Sequence, residues 1–186
     1  DVDENDRKIN NRILYTKNFY PNIWESNFTM NGKVFLERYM STKNVIPNAS
    51  ATLVRRKAMC RFFDTTLNLE LALDWWTWIN MLSEYDVAFC AKPLNYFRQA
   101  KTSITSTTHK SSKAFYESTI VFFKIQSIVN TVIVRKNIRK RLRRWAKAFG
   151  LLNKSKYDKL TYINIAKLDW WFLLEISSLL IFYSIT

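Results

Sequence analysis

The stretch LNLELALDWWTWINMLSEY, residues 67–85, decides how the chain folds. Its apolar side chains recur at three- and four-residue spacing, which predicts an amphipathic helix. Asp74 lies on or beside this apolar stripe, and three tryptophans follow it closely: Trp75, Trp76 and Trp78. Burial among indole rings disfavours the charged form of a carboxylate. The pKa of Asp74 is therefore expected to be raised, which would improve the group as a proton acceptor near neutral pH.

Short elements are predicted on both sides of this helix. Residues 1–31 are polar and rich in Asn, which indicates an irregular connection, and residues 33–43 fit a short amphipathic helix. Residues 49–54 have the pattern of a short buried strand. Two further short strands are predicted over residues 87–91 and 94–97.

The second half of the chain has helical patterns and a strongly basic segment. Residues 115–134 predict a mainly apolar helix, and residues 135–147 hold eight of the 29 Lys and Arg residues and no acid. Apolar positions in the basic segment recur at helical spacing opposite the cations, and Gly150 predicts the end of that helix. Residues 170–185 are strongly apolar but shorter than the roughly 20 residues of a membrane span, so we expect a docked helix or an interfacial anchor. The whole pattern predicts an α+β fold that is predominantly helical, with a few short strands.

Composition excludes several kinds of site. Only Gly32 and Gly150 occur, whereas glycine averages about 7% of residues, so a glycine-rich loop that cradles phosphate cannot be built. One histidine, His109, gives little material for a histidine metal site or a Ser–His–Asp triad. Cys60 and Cys90 form no C-x-x-C pair, and two thiols without a disulfide pattern favour a reducing compartment. The net charge of +14 predicts attraction to nucleic acid, acidic lipid headgroups or acidic glycans.

Three separated segments carry a resemblance to a known family. They are NVIPNASA at residues 44–51, LDWWTWI at residues 73–79 and PLNYFRQ at residues 93–99. In this order and spacing they resemble the family 2 glycosyltransferases with the GT-A fold, in particular bacterial enzymes that build surface polysaccharides. The resemblance covers residues 1–108.

The resemblance implies inverting transfer of a sugar from a nucleotide-sugar donor to a growing glycan or a lipid-linked acceptor. Asp74 would be the catalytic base, taking the proton from the acceptor hydroxyl as it attacks the sugar carbon. Arg98 would lie near the diphosphate and offset charge on the leaving group. The residues with implied substrate-binding roles are Asn48, Ser50, Trp75, Trp76 and Arg98.

The same resemblance implies how the chain is organised. Residues 1–108 would be the acceptor-side portion, with the catalytic base, of a GT-A-type fold whose nucleotide-binding half is missing from the chain. Residues 109–186 would be a helical, basic and apolar extension. A divalent metal, Mn or Mg, is expected in the full-length enzyme, with its ligands mostly outside this chain and no metal ligand assigned within it. Ala100 stands where many relatives have a histidine that helps to hold the metal or the diphosphate, so either this member relies on Arg98 and the missing half or its activity is impaired. Without a nucleotide-binding half, the isolated chain is expected to be inactive.

Several simpler interpretations stay open. Asp74 could serve only as a first-turn carboxylate favoured by the helix dipole. Asp1-Val2-Asp3 looks like the D-x-D pair that holds a metal–diphosphate, but no hydrophobic strand precedes it, which favours a charged linker. The tryptophans could belong to the core rather than to a sugar site. Asn48 could belong to a turn or a glycosylation sequon.

The basic segment allows three interpretations. It could be a solvated helix face, a membrane-surface site or a nucleic-acid site, and the lack of a recognisable groove-reading or stacking module disfavours nucleic acid. The membrane interpretation assigns surface contacts to Arg139, Arg143, Arg144 and Trp145. It would place the protein in the cytoplasm, peripherally on the inner face of the cell membrane. An alternative function is therefore a catalytically inactive, truncated glycosyltransferase remnant that acts as an interaction or membrane-surface-binding module.

Overall fold

A computed structural model of the chain shows two compact units, Asp1–Thr107 and Thr108–Thr186. The residues that it describes are 1–3, 5–9, 15–46, 49–62, 69–98, 112–149, 159–161, 163, 165 and 174, with backbone alone for 112 and 145–149. Helices dominate these residues, and a two-stranded antiparallel sheet accompanies them. The predicted α+β, predominantly helical class is confirmed.

The described part of the first unit contains both strands and three α-helices. In chain order, its regular elements are β1 (Phe28–Met30), α1 (Gly32–Phe35), α2 (Arg56–Phe62), α3 (Leu73–Leu82) and β2 (Val87–Phe89). Helix α1 continues directly as a π-helix over Leu36–Met40. The strands pair antiparallel, with Thr29 opposite Ala88, and the paired rings of Phe28 and Phe89 stack with centroids 5.2 Å apart.

Helix α1 begins at a well-defined cap and lies against the end of α3. The side-chain oxygen of Asn31 accepts hydrogen bonds from the backbone N–H groups of Lys33, at 3.1 Å, and Val34, at 3.4 Å. These bonds satisfy donors that a helix start leaves without partners. Gly32 follows the cap, and a β-carbon there would lie 2.1 Å from the carbonyl oxygen of Tyr85. Glycine at position 32 thus permits the close approach of α1 to the chain that leaves α3.

The core of the first unit joins α3 to α1 and its π-helical extension. Leu36, Met40 and Ile79 are completely buried, and α3 contacts α1, the π-helix and α2. Beside this core lies an aromatic cluster whose neighbouring ring centroids are 4.8 to 6.3 Å apart. Its members are Phe19, Trp24, Phe28, Phe35, Tyr39 and Phe89. This aromatic packing links the sheet to α1, so α3 is held on a rigid support.

The prediction of a strand over residues 49–54 is wrong. The chain forms an exposed 3-10 turn over Ala49–Ala51 instead. The carbonyl oxygen of Ala49 accepts from the backbone N–H of Thr52 at 3.1 Å and from its hydroxyl at 2.6 Å. These local bonds occupy the backbone that a ladder would need. Helix α2, which the sequence did not predict, begins directly afterwards at Arg56.

Three other sequence predictions also change. The helix predicted over residues 67–85 begins only at Leu73, because Ala72 has φ −121° and ψ 16°, outside the helical region. The strand predicted over residues 94–97 does not form. Its backbone makes one isolated bridge, in which the N–H of Val2 donates to the carbonyl oxygen of Phe97 at 2.9 Å, rather than a ladder. Residues 1–31, expected to be irregular, contain strand β1.

The second unit is built around two helices, α4 (Ser112–Ile128) and α5 (Val132–Phe149). A helix was predicted to run through residues 115–134, but α4 ends at Ile128 and α5 begins at Val132. At the break, the hydroxyl oxygen of Thr131 accepts from the backbone N–H of Val134 at 3.3 Å, which caps a new helix. In the sequence, the polar pair Asn130-Thr131 interrupts the apolar residues at this point, and Asn or Thr before an apolar run is an N-cap signal that the prediction did not use.

Helices α4 and α5 pack through apolar faces. Val121, Phe122 and Ile125 of α4 are buried, as are Val134, Ile138 and Leu142 of α5. The predicted basic amphipathic helix is therefore confirmed within α5. Among the residues described, no helix has both the length and the apolar character needed to cross a membrane. Gly150 and most of residues 170–185 lie outside the described residues, and the predictions made for them stay predictions.

Candidate functional site

Asp74 lies in the first turn of α3 and is half-buried. Its Oδ1 accepts a hydrogen bond from the backbone N–H of Trp75 at 2.6 Å. A carboxylate can accept up to about four hydrogen bonds. Asp74 is thus anchored to the start of its helix and keeps capacity to accept a proton from a ligand.

Burial raises the pKa of Asp74 above its ordinary value. Hydrogen bonds from the backbone N–H groups of Trp75 and of Asp74 itself oppose this shift, but desolvation is the larger effect. The direction predicted from the surrounding tryptophans is therefore confirmed. A carboxylate with a raised pKa holds a transferred proton more readily, which suits a general base.

The three tryptophans after Asp74 differ in exposure. Trp75 and Trp78 are 7% and 5% exposed and belong to the core, whereas Trp76 is half-buried. Of the two predicted sugar-binding rings, Trp76 therefore offers more surface to a ligand. Trp78, one helical turn after Asp74, has a buried indole N–H that lacks a hydrogen-bond partner within the described residues. Unsatisfied buried donors are uncommon and often mark functional positions.

Arg98 is exposed and lies against the N-terminal segment of the chain. Its guanidinium donates to Oδ1 of Asp6 at 2.6 Å, and its backbone forms a parallel bridge with Val2. Val2 also pairs with Lys8 and is 4% exposed. The interpretation of Asp1-Val2-Asp3 as a charged linker is therefore wrong, because this segment is part of the packed first unit.

The carboxylate of Asp3 holds a tight turn. Its Oδ1 accepts from the backbone N–H groups of Asn5, at 2.9 Å, and Arg7, at 2.8 Å. Asp6, inside the turn, has φ 62°, a left-handed conformation that Asp tolerates better than most residues. Within the residues described, no three His, Cys, Asp or Glu side chains come together as a metal-ion site. The described residues therefore do not fit a resident divalent metal.

The remaining predicted substrate-binding residues lie elsewhere in the first unit. Ser50 is exposed in the 3-10 turn, and Asn48 lies outside the described residues. Ala100 and His109 also lie outside them. The roles assigned to Ser50 and Asn48 stay predictions.

The predicted membrane-surface residues lie on α5. Arg139, Arg143 and Arg144 are exposed, and the backbone of Trp145 belongs to the helix, with its side chain outside the described atoms. Their lipid-binding role stays a prediction.

Sequence reasoning missed one feature near these residues. The ion pair of Arg98 with Asp6 joins residues 92 positions apart, and local sequence patterns carry no signal for such a contact.

Comparison of the chain with known protein families, curated proteins and solved structures found no match. A functional interpretation therefore depends on the chemistry of its own residues. Asp74 and its helix are the most informative part of that chemistry.

Proposed function

We propose that this chain supplies the acceptor side of an inverting glycosyltransferase, with Asp74 as its catalytic base. The observation that carries the proposal is a half-buried carboxylate with a raised pKa in the first turn of α3. Its position matches the acidic-Trp segment of the family that the sequence resembles. Trp76 adds a partly exposed ring that can pack on a sugar face.

The proposed reaction is a single displacement. The acceptor hydroxyl oxygen forms a bond to the anomeric carbon of the donor as Asp74 takes its proton. The bond from that carbon to the diphosphate oxygen breaks, and the nucleoside diphosphate leaves with the electron pair. Attack from the opposite side inverts the anomeric centre. Arg98 would offset charge on the leaving diphosphate.

The fold fixes the position of Arg98 relative to the N-terminal segment. The Val2 bridge and the Asp6 ion pair bring Arg98 together with the Asp1-Val2-Asp3 segment, although nearly the whole first unit separates them in sequence. The resemblance implies that Arg98 lies near the donor diphosphate.

The proposal places most of the nucleotide site outside the residues of this sequence. With two glycines, the chain offers no glycine-rich phosphate loop. The divalent metal expected from the resemblance would likewise take most of its ligands from elsewhere. No step of the proposed mechanism involves this metal, because the described residues do not fit a metal site.

Asp74→Asn tests the proposal in the protein as its complete gene encodes it. Removing a general base lowers turnover by about 10²- to 10⁴-fold, so we expect at least a 100-fold loss of transfer. The measurement is release of nucleoside diphosphate from a panel of nucleotide-sugars, with glycan and lipid-linked acceptors. The unfolding midpoint of the variant, recorded in parallel, establishes that it is folded.

Glu84→Gln is the matched control, because Glu84 is an exposed acid just beyond the end of α3. Its ion pair with Arg61 is solvent-exposed, and such pairs contribute about 0–1 kcal/mol. We expect this variant to transfer sugar at the wild-type rate. Unchanged turnover in Asp74→Asn would remove Asp74 from the mechanism. A complete protein that transfers no sugar from any donor would instead favour the inactive interaction module.

A further inference from the structure

We propose that the exposed side of α5 is a docking surface for an anionic lipid bilayer. The surface, called the basic face below, consists of Arg135, Lys136, Arg139, Lys140, Arg143 and Arg144, all of which are exposed. The inference concerns the second unit and does not depend on the role of Asp74.

The basic face has a regular geometry. Its cations form two rows with four-residue spacing, one starting at Arg135 and the other at Lys136. At a rise of about 1.5 Å per residue, six positive charges lie within about 14 Å along one helix. The opposite side of α5 is occupied, because Val134, Ile138 and Leu142 are buried. The basic face is therefore held outward by apolar packing.

No acid within the helix moderates this charge. Between Glu117 and Asp158 the sequence contains no Asp or Glu, so no i, i+4 acidic neighbour is available to any cation of the basic face. The charge is also unevenly shared between the two units. Residues 108–186 hold 15 Lys and Arg and four Asp and Glu, a net charge of +11, whereas residues 1–107 hold 14 and 11, a net charge of +3.

Two apolar side chains extend the basic face at the start of α5. Val132 is 71% exposed and Ile133 is 50% exposed. Val132 lies four residues before Lys136, so it continues one of the two rows of cations. Exposed aliphatic groups beside cations suit the boundary between headgroups and acyl chains, where both find favourable surroundings. A phosphate backbone offers aliphatic groups no such environment.

Nucleic acid is the competing anion, and the described residues favour it less. Single-stranded sites stack bases on exposed aromatic rings, and double-stranded sites present a helix with base-reading polar groups. The exposed described positions of α5 carry cations and aliphatic groups instead. A planar anionic surface can bind two rows of cations without any recognition of a nucleotide sequence.

Arg141 belongs to the packing of the second unit and not to the basic face. Its guanidinium lies over the rings of Phe115 and Phe122, with centroid distances of 5.3 and 4.8 Å. It also donates to the hydroxyl oxygen of Ser118 at 2.5 Å. Arg141 thus helps to join α4 and α5, and substituting it would disturb the fold rather than test the surface.

The test measures co-sedimentation of the full 186-residue chain with vesicles. One set of vesicles is pure phosphatidylcholine, and the other contains about one quarter phosphatidylglycerol. The variant replaces Arg139, Arg143 and Arg144 with Gln. Each cation near an anionic leaflet strengthens binding by a factor of about five, so we expect the triple variant to bind anionic vesicles about 100-fold more weakly.

A second triple variant provides the matched control. Replacing Lys33, Arg38 and Lys57 with Gln removes the same charge from exposed positions of the first unit. We expect it to bind anionic vesicles within about threefold of the wild-type chain. Far-UV circular dichroism of both variants should match that of the wild type, because every substituted side chain is exposed.

A third variant separates apolar contact from charge alone. Val132→Ser combined with Ile133→Ser is expected to weaken vesicle binding by about three- to tenfold, because less apolar surface enters the interface. Equal binding to neutral and anionic vesicles would overturn the proposal, as would equal losses in the two triple variants. Binding of a duplex or single-stranded oligonucleotide at least tenfold tighter than anionic vesicles, with the same loss on substituting Arg139, Arg143 and Arg144, would assign the basic face to nucleic acid.

Discussion

At the scale of single residues, Asp74 shows two opposing effects on one carboxylate. The first turn of a helix and the 2.6 Å hydrogen bond from Trp75 favour its charged form. Burial beside Trp75 and Trp78 favours the neutral form. Burial is the stronger effect, since the pKa is raised overall. A first-turn carboxylate selected only for helix stability would gain nothing from this desolvation.

The raised pKa of Asp74 also predicts how the stability of the fold depends on pH. Unfolded, Asp74 titrates near 3.8, and the folded protein keeps the proton to a higher pH. Its contribution to stability is therefore full below the unfolded pKa and is lost as the pH rises through the folded pKa. The asparagine does not titrate. We expect the free energy of unfolding of the wild type, relative to Asp74→Asn, to fall with rising pH over this window and then level off.

Urea unfolding of both proteins from about pH 3.5 to about pH 8 measures this difference. Asn keeps a side-chain oxygen that can accept from the N–H of Trp75, so the comparison isolates the charge. A difference that stays constant, or that grows with pH, would show that burial does not control this carboxylate.

At the scale of elements, α3 is positioned by contacts at its C-terminal end. Gly32 allows α1 to touch the carbonyl groups of Leu82 and Tyr85. The side chain of Asn31 donates to the carboxylate of Asp86 at 3.2 Å. These contacts lie at the opposite end of α3 from Asp74, so they set the direction of the helix without occupying the candidate site.

Gly32→Ala tests this arrangement. Helix propensity alone predicts a gain of about 1 kcal/mol for such a change. The new β-carbon would lie 2.1 Å from the Tyr85 oxygen and 2.2 Å from the Leu82 oxygen, so backbone must move. We expect a net loss of about 1–3 kcal/mol in the free energy of unfolding, the usual effect of overpacking.

Chemical denaturation provides the measurement, and Lys33→Ala is its control. Lys33 is exposed and adjacent to Gly32, so its substitution should change stability by less than about 0.5 kcal/mol. Stabilisation by Gly32→Ala would mean that α1 and the end of α3 do not approach closely.

At the scale of the whole molecule, chemistry and charge are divided between the two units. Asp1–Thr107 contains the candidate base and has a small net charge, whereas Thr108–Thr186 carries most of the positive charge. A glycosyltransferase acting on lipid-linked acceptors would benefit from a lipid-binding surface on the same chain. Each proposal can nevertheless fail alone, because their tests change different residues.

The positive charge of the basic face predicts how vesicle binding depends on pH and on salt concentration. Lys and Arg side chains stay protonated throughout the neutral range, and even the half-buried Arg141, whose pKa is lowered by desolvation, keeps a pKa of about 10. We expect the affinity for anionic vesicles to vary less than about twofold between about pH 5.5 and pH 8. It should fall at least tenfold when sodium chloride rises from about 0.1 M to 0.5 M, because salt screens exposed charges.

Co-sedimentation with anionic vesicles, measured at each combination of pH and salt concentration, tests both expectations. Strong weakening with rising pH and little effect of salt would show that a titrating group or apolar contact, rather than the basic face, controls binding.

Much of the helical structure could be predicted from local patterns. The apolar stripes of α3 and α5 repeat at helical spacing, and a helix with such a stripe buries it whatever its neighbours are. The fold class and the raised pKa of Asp74 followed from the same patterns, because residues within a turn or two of each other determine both. The break before α5 was missed, although the polar pair Asn130-Thr131 marks the cap in the sequence.

Tertiary structure alone decided the short elements and the long-range contacts. Strand β1 exists because β2 pairs with it, whereas residues 94–97 form no ladder and Val2 donates to Phe97 within an isolated bridge. The pairing of Arg98 with Asp6 likewise depends on how distant segments come together. Helical hydrogen bonds close within four residues and are encoded locally, whereas strand pairing and ion pairs between distant residues require the rest of the fold.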